Sequence, residues 1–149
     1  MLRGTNNITM DDKGRIAIPA RYRELLHEEC NGAVVCTIDP RQPDCLMLYP
    51  LSEWEVIESE LKKQSNTKQV LAFKRVLLGF AVEGEIDKKN GRFVLPPVLR
   101  EKVGLEKQLM LVGQLNKFEI WDQSVWQSQM DADIEAIQAD ASELMDFNF

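Results

Sequence analysis

The sequence predicts an α+β fold, rich in short strands and assembled from two copies of one unit. Three observations predict it. The stretch Lys13-Gly14-Arg15-Ile16-Ala17-Ile18-Pro19 returns as Asn90-Gly91-Arg92-Phe93-Val94-Leu95-Pro96, and the match runs on to Arg23-Glu24 against Arg100-Glu101. Leu48-Tyr49-Pro50-Leu51-Ser52-Glu53-Trp54 then lines up with Ile120-Trp121-Asp122-Gln123-Ser124-Val125-Trp126, so each copy reads as hairpin, short helix, strands and a Trp-bearing helix. Between these marks the apolar runs are short and bounded by Gly, Pro, Asn and Asp, as strands and their turns are.

In chain order, Ile8-Thr9-Met10 leads as a strand into a turn at Asp11-Asp12-Lys13-Gly14, where Gly14 supplies the positive φ of a tight loop. The next strand sets Ile16 and Ile18 on one face and Arg15 and Ala17 on the other. Pro19 ends it and opens a helix to about His27, with Leu25 and Leu26 inward. Asn31-Gly32 is a turn, Ala33–Ile38 a strand, Asp39–Asp44 a loop by its Pro and Asp content, and Cys45–Tyr49 a strand. Ser52 and Glu55 have capping-box spacing, and Trp54, Ile57 and Leu61 continue a helical stripe to about Lys63. Gln64–Thr67 breaks the stripe, Val70, Phe73 and Leu77 form a second one, and Gly79 suits the stop. Both helices can pack on the sheet or meet a neighbouring subunit. In copy two, Phe80–Ile86 is the lead strand, Asp87–Arg92 its loop, and Phe93–Leu95 its second strand. Pro96-Pro97 opens a helix ending near Gly104. Gln108–Val112 and Lys117–Trp121 are the closing strands, with the turn at Asn116-Lys117. A helix from Ser124 carries Trp126, Met130, Ile134, Ile137, Ala141 and Leu144 and frays after Ser142.

The 149 residues suffice for one shared core, because halves of about 50 residues would be marginal alone. The N-terminus is polar and no run is long enough to span a bilayer, so the cytosol is the expected compartment. Cys30, Cys36 and Cys45 fit no zinc spacing and His27 is the only histidine, so reduced thiols and no metal are expected. No phosphate-binding Gly-rich loop, H-E-x-x-H pair or Cys–His set is present, so neither an enzyme, a cofactor nor a small-molecule substrate is expected.

The net charge of −6 is unevenly spread. From Met1 to Arg23, Arg3, Lys13, Arg15, Arg21 and Arg23 face only Asp11 and Asp12. From Ile86 to Arg100, Lys88, Lys89, Arg92 and Arg100 face only Asp87. From Asp122 onward there are seven acids and no Lys or Arg. A polyanion docks by local field, so the two loops are the candidate nucleic-acid contacts. A guanidinium can bond guanine O6 and N7 in the major groove, and a two-stranded ribbon fits that groove. Arg15 is therefore the leading candidate, with Lys13 on phosphate, Gly14 admitting close backbone approach, and Arg92, Gly91, Lys88 and Lys89 as the second set. Asp11 can pair with Arg15 across the turn, an exposed pair contributing about 0–1 kcal/mol. In the second loop Asp87 lies five residues before Arg92, one more than Asp11 before Arg15, so it cannot hold its arginine in the same way. That loop suits phosphate more than base edges. Arg3, Arg21 and Arg100 are lesser candidates.

The two D-x-K-G-R-x-x-x-P-like cores, the opening Met1-Leu2-Arg3-Gly4 and the segment Val112–Trp121 resemble the MraZ family of bacterial transcriptional regulators, within the AbrB-like (SpoVT-AbrB) swapped-hairpin group. The resemblance runs from Met1 to about Ile134. It implies a β-rich double-split barrel of two AbrB-like repeats with flanking helices: repeat one over 5–52, connecting helices over 53–80, repeat two over 81–124 and an acidic C-terminal helix over 125–149. It implies that Asp11 and Arg15 form a D-x-x-x-R motif linked to DNA contact, with Arg92 as the second copy's arginine. It also implies a closed ring of identical subunits in the cytoplasm, on the nucleoid, binding short direct repeats of double-stranded promoter DNA and mainly repressing its own division and cell-wall gene cluster. The competing expectation is a ring-forming scaffold, antidote-like, whose basic loops bind an acidic protein.

Overall fold

The computed structural model describes residues Met1–Phe149. The elements are β1 (Leu2–Thr9), β2 (Arg15–Ala17), α1 (Ala20–Cys30), β3 (Ala33–Asp39), β4 (Gln42–Pro50), α2 (Leu51–Lys62), α3 (Lys68–Gly79), β5 (Val82–Glu85), β6 (Arg92–Val94), α4 (Pro97–Val103), β7 (Gln108–Leu115), β8 (Phe118–Asp122) and α5 (Gln123–Ala139), then a 3-10 turn at Ser142–Leu144. The fold is α+β with antiparallel sheets, as the alternating short runs predict. No helix is long and apolar enough to cross a membrane.

Six strands form an open sheet in the order β1-β7-β8-β4-β3-β5, and β2 pairs with β6 in a separate two-stranded ribbon. Exchanging β1–β4 for β5–β8 reproduces the same order read backwards. The two copies are thus related by an approximate two-fold axis through the central β4–β8 pairing. Each lead strand crosses over: β1 pairs with β7, β5 with β3, and β2 with β6. The hairpin expected from β1 into β2 is therefore absent as a ladder. Only a turn joins them, closed by the bonds Asp11 N–H to Arg15 O (3.0 Å) and Gly14 N–H to Asp11 O (3.0 Å). A three-residue strand cannot bury its apolar face against one neighbour, and the crossed pairing gives Ile16 the facing Phe93.

Side-chain alternation splits the large sheet into two faces. One carries Cys36, Leu46, Leu48, Leu109, Leu111, Phe118 and Ile120 against Ile16 and Phe93 of the ribbon, Ile18 and Leu95 just past its strands, and α1 and α4. The other carries Val35, Cys45, Met47, Tyr49, Met110, Val112 and Trp121 under Trp54 and Ile57 of α2, Phe73 and Leu77 of α3, and Trp126 of α5. The molecule has three layers: ribbon with two short helices, sheet, and the three longer helices. The inward stripes of α2 and α3 pack on the sheet. All three cysteines are free, and burial pushes the Cys36 thiol up to about 12.

Several local expectations are corrected. Ser52 caps nothing: β4 runs to Pro50, which enters α2 at φ −55°, ψ 142°, and no side chain caps that helix. Thr67 does cap α3, its hydroxyl accepting from Val70 N–H at 3.2 Å. Gly79 is the last helical residue, not a left-handed stop. The loop expected over Asp39–Asp44 narrows to Pro40-Arg41, because the buried Asp39 pairs with Gln42 in the ladder and accepts the Arg41 guanidinium at 2.8 Å. The β7–β8 connection is Asn116-Lys117, as expected; the exposed Leu115 that ends β7 has φ 67°, and Asn116 N–H is bonded to Gln114 O at 2.8 Å.

Candidate nucleic-acid interface

The ribbon register decides where the arginines point. Arg15 faces Val94, Ile16 faces Phe93, and Ala17 faces Arg92. Opposed residues share a face, so Arg15, Ala17, Arg92 and Val94 lie together. Ile16 and Phe93 fill the core, whereas Ala17, Arg92 and Val94 are exposed and Arg15 is half-exposed. The two arginines thus leave one solvent-facing side of one ribbon, their Cα atoms on the order of 8 Å apart from strand geometry.

Asp11 organises the first loop. Its carboxylate accepts Lys13 N–H (3.0 Å), Arg15 N–H (2.9 Å) and Arg15 Nε–H (2.6 Å). The bonds from Arg15 backbone and side chain hold the Asp11 carboxyl below its ordinary 3.8. The pair uses Nε of Arg15, and its two terminal nitrogens make no hydrogen bond in the chain. They form the outward end of a guanidinium already fixed in direction, the arrangement an end-on bidentate contact needs. Lys13 is exposed beside it.

The second loop differs. The Asp87 carboxylate accepts Lys89 N–H (3.3 Å) and Asn90 N–H (3.2 Å), and does not reach the Arg92 guanidinium. The additional residue puts four residues between acid and arginine where the first loop has three, and the carboxylate is spent on backbone. Lys88, Lys89 and Arg92 are exposed cations outside any ion pair.

The glycines act otherwise than as open backbone. Gly14 and Gly91 are buried at φ 81° and 68°. A Cβ on Gly14 would meet the Arg100 guanidinium carbon at 2.6 Å, and one on Gly91 would meet Ile18 O at 2.6 Å and the Arg23 side chain. Arg23 Nε donates to Ile18 O (2.8 Å) and a terminal nitrogen to Lys89 O (3.3 Å). Each copy's helix therefore sends an arginine under the other copy's loop. The sequence alignment of Arg23 with Arg100 was the one signal for this pair, and nothing local marks either as a support.

Arg3 is not brought into the cluster. It lies in β1 opposite Gln114, roughly 23 Å of extended strand from Met10. Arg21 is engaged by Asn6 Oδ1 (2.7 Å) and stacks over Tyr22 (4.5 Å). Ribbon and loops together present Lys13, Arg15, Lys88, Lys89 and Arg92 from one layer, while the cation-free segment from Asp122 begins in the opposite layer with α5.

Comparison with known proteins follows the same outline. A family model described as "MraZ protein, putative antitoxin-like" matches residues 1–75 and 77–148. A protein of Pseudoalteromonas atlantica named transcriptional regulator MraZ is 54% identical over 145 residues, 97% of this chain and 94% of its own. One of the same name from Tolumonas auensis is 55% identical over 138 residues, covering 92% and 90%. Another from Shewanella sediminis is 52% identical over 153 residues, covering 99% of each.

Proposed function

The chain belongs to the MraZ family, and on that premise we propose that it is a non-enzymatic transcriptional regulator that grips double-stranded promoter DNA with the β2–β6 ribbon. The observation that carries this is the register placing Arg15 and Arg92 on one exposed face. Arg15, aimed by Asp11, reads a guanine edge, and Lys13 contacts phosphate. Arg92, Lys88 and Lys89 supply a looser, mainly electrostatic hold. Arg23 and Arg100 set the loops from beneath. Repeats 5–52 and 81–124 each contribute one loop, and ribbon and large sheet together make the double-split barrel of the AbrB-like group.

One ribbon spans only a few base pairs, so useful specificity needs several ribbons acting at once. The finer reading is a closed ring on short direct repeats, acting mainly as a repressor upstream of its own division and cell-wall cluster, in the cytoplasm on the nucleoid. Fluorescence anisotropy with the protein's own upstream DNA tests it. Arg15→Ala lowers specific affinity roughly 10- to 100-fold, the size of a bidentate guanine contact, and leaves non-specific binding in place. Lys88→Gln with Lys89→Gln weakens all sequences alike and flattens the log K against log salt slope by about 2. Unchanged promoter affinity in Arg15→Ala overturns the assignment.

The antitoxin-like wording of the family description supports a second reading, basic loops holding an acidic protein. Under it, promoter and scrambled DNA bind equally in the same experiment.

A further inference from the structure

Helix α5 is unfinished within one chain. None of its 17 residues is buried, and contact with the body is confined to its start, where Trp126 packs edge-on against Trp121 at 5.7 Å between ring centres. Beyond that turn Met130, Ile134 and Ile137 share a face, and Ile134 and Ile137 stay 51% and 50% exposed. Asp131 and Asp133 flank this stripe, Glu135, Asp140 and Glu143 follow, and no cation occurs from Asp122 to the end. A helix this short gains most of its stability from packing an apolar face, and here Met130 is half-buried while Ile134 and Ile137 are left exposed.

Helix α3 offers the converse. Leu71 and Leu78, seven residues apart on one face, are 41% and 40% exposed, away from the inward Phe73 and Leu77. Lys68, Lys74 and Arg75 surround them, α3 contains no acid, and none of the three cations is in an ion pair; Lys74 Nζ only donates to Asn66 Oδ1 at 3.1 Å. The neighbouring α2 carries Glu53, Glu55, Glu58 and Glu60, so among the three longer helices only α3 is a purely basic partner.

We propose that the Met130–Ile134–Ile137 stripe of α5 packs on the Leu71–Leu78 face of α3 in a second copy of the chain. Charge selects this pairing: α5 on α5 opposes acids, α3 on α3 opposes cations, and α5 on α3 matches them. The contact is head-to-tail, because its halves are different surfaces. Its placement suits repetition. In the sheet order, α5 sits over β7 and β8 towards one edge and α3 over β3 towards the other, both in the layer opposite the ribbon. Copies joined this way stand side by side, each with its ribbon on the same side of the sheet layer.

The inference deepens the ring reading above and rests on it; its test reads mass, which DNA binding does not affect. Light scattering and sedimentation are run on the full chain without DNA, with circular dichroism confirming each fold. Wild type gives a defined multiple of 17.1 kDa. Lys74→Glu with Arg75→Glu, or Asp131→Lys with Asp133→Lys, each gives the single-chain mass. Ile134→Asp, at a side chain half exposed within the single chain, does the same. A chain carrying all four charge reversals reassembles, and mixing the two double variants restores the larger assembly, the two variants alternating because every junction between them sets acid against base. Wild type at the single-chain mass, or an assembly untouched by both double reversals, overturns the inference. If Arg15→Ala leaves promoter affinity intact while these masses change as stated, the loop assignment falls and the α5–α3 contact stands.

Discussion

At the scale of single residues, the loops are built from constraints that only glycine and one carboxylate satisfy. Gly91 and Gly104 have nearly equal positive φ, 68° and 66°, but a Cβ on Gly104 meets nothing within 4 Å whereas one on Gly91 strikes Ile18 O and Arg23. Gly104→Ala therefore costs only the left-handed penalty, about 1 kcal/mol, and Gly91→Ala costs that plus a displaced Arg23, about 2–4 kcal/mol, as read by chemical denaturation. Asp11 gives a pH prediction. Its carboxyl is held below 3.8, so the order it gives the loop is complete above the ordinary carboxylate range and fades as pH falls through the lower folded-state value. A carbon-13 titration of Asp11 shows a midpoint below 3.8; a midpoint at or above that value removes the Arg15 bond as cause. The Asp11–Arg15 pair was legible in the sequence because both partners lie in one turn. Arg23 and Arg100 were not, since each acts across more than sixty residues on the other copy's loop.

At the scale of elements, periodicity placed almost every helix and strand but not their ends or partners. The pattern Ser52-x-x-Glu55 satisfied the spacing of a capping box, yet Pro50 had already turned the chain from β4 into α2, leaving Ser52 one position inside. Thr67 occupies the true cap of α3. Thr67→Ala accordingly destabilises by about 1 kcal/mol, and Ser52→Ala changes stability by less than about 0.5 kcal/mol, in urea melts of the two variants. Pairing was illegible for a related reason. Alternation shows which face of β1 or β2 is buried, but an adjacent strand and a strand from the other copy satisfy that face equally well. The short turn made the local hairpin the natural expectation, and the apolar match of Ile16 to Phe93 decided otherwise.

At the scale of the molecule, the crossed pairing makes the copies inseparable. β1 finds its only ladder on β7 and β5 its only ladder on β3, so neither half can close its own sheet. Unfolding is consequently one cooperative event: tryptophan fluorescence and far-ultraviolet dichroism give coincident denaturation curves, and two separated transitions would show that the halves stand alone. The same crossing lets two loops that began alike drift apart without loosening the frame. One end of the ribbon now bears an arginine locked to its acid, the other an arginine outside any ion pair that follows two lysines. On the DNA contact proposed above, a clamp with matching jaws would seat equally well facing upstream or downstream; this one has a front and a back, so the proposal lays it along a gene in only one direction.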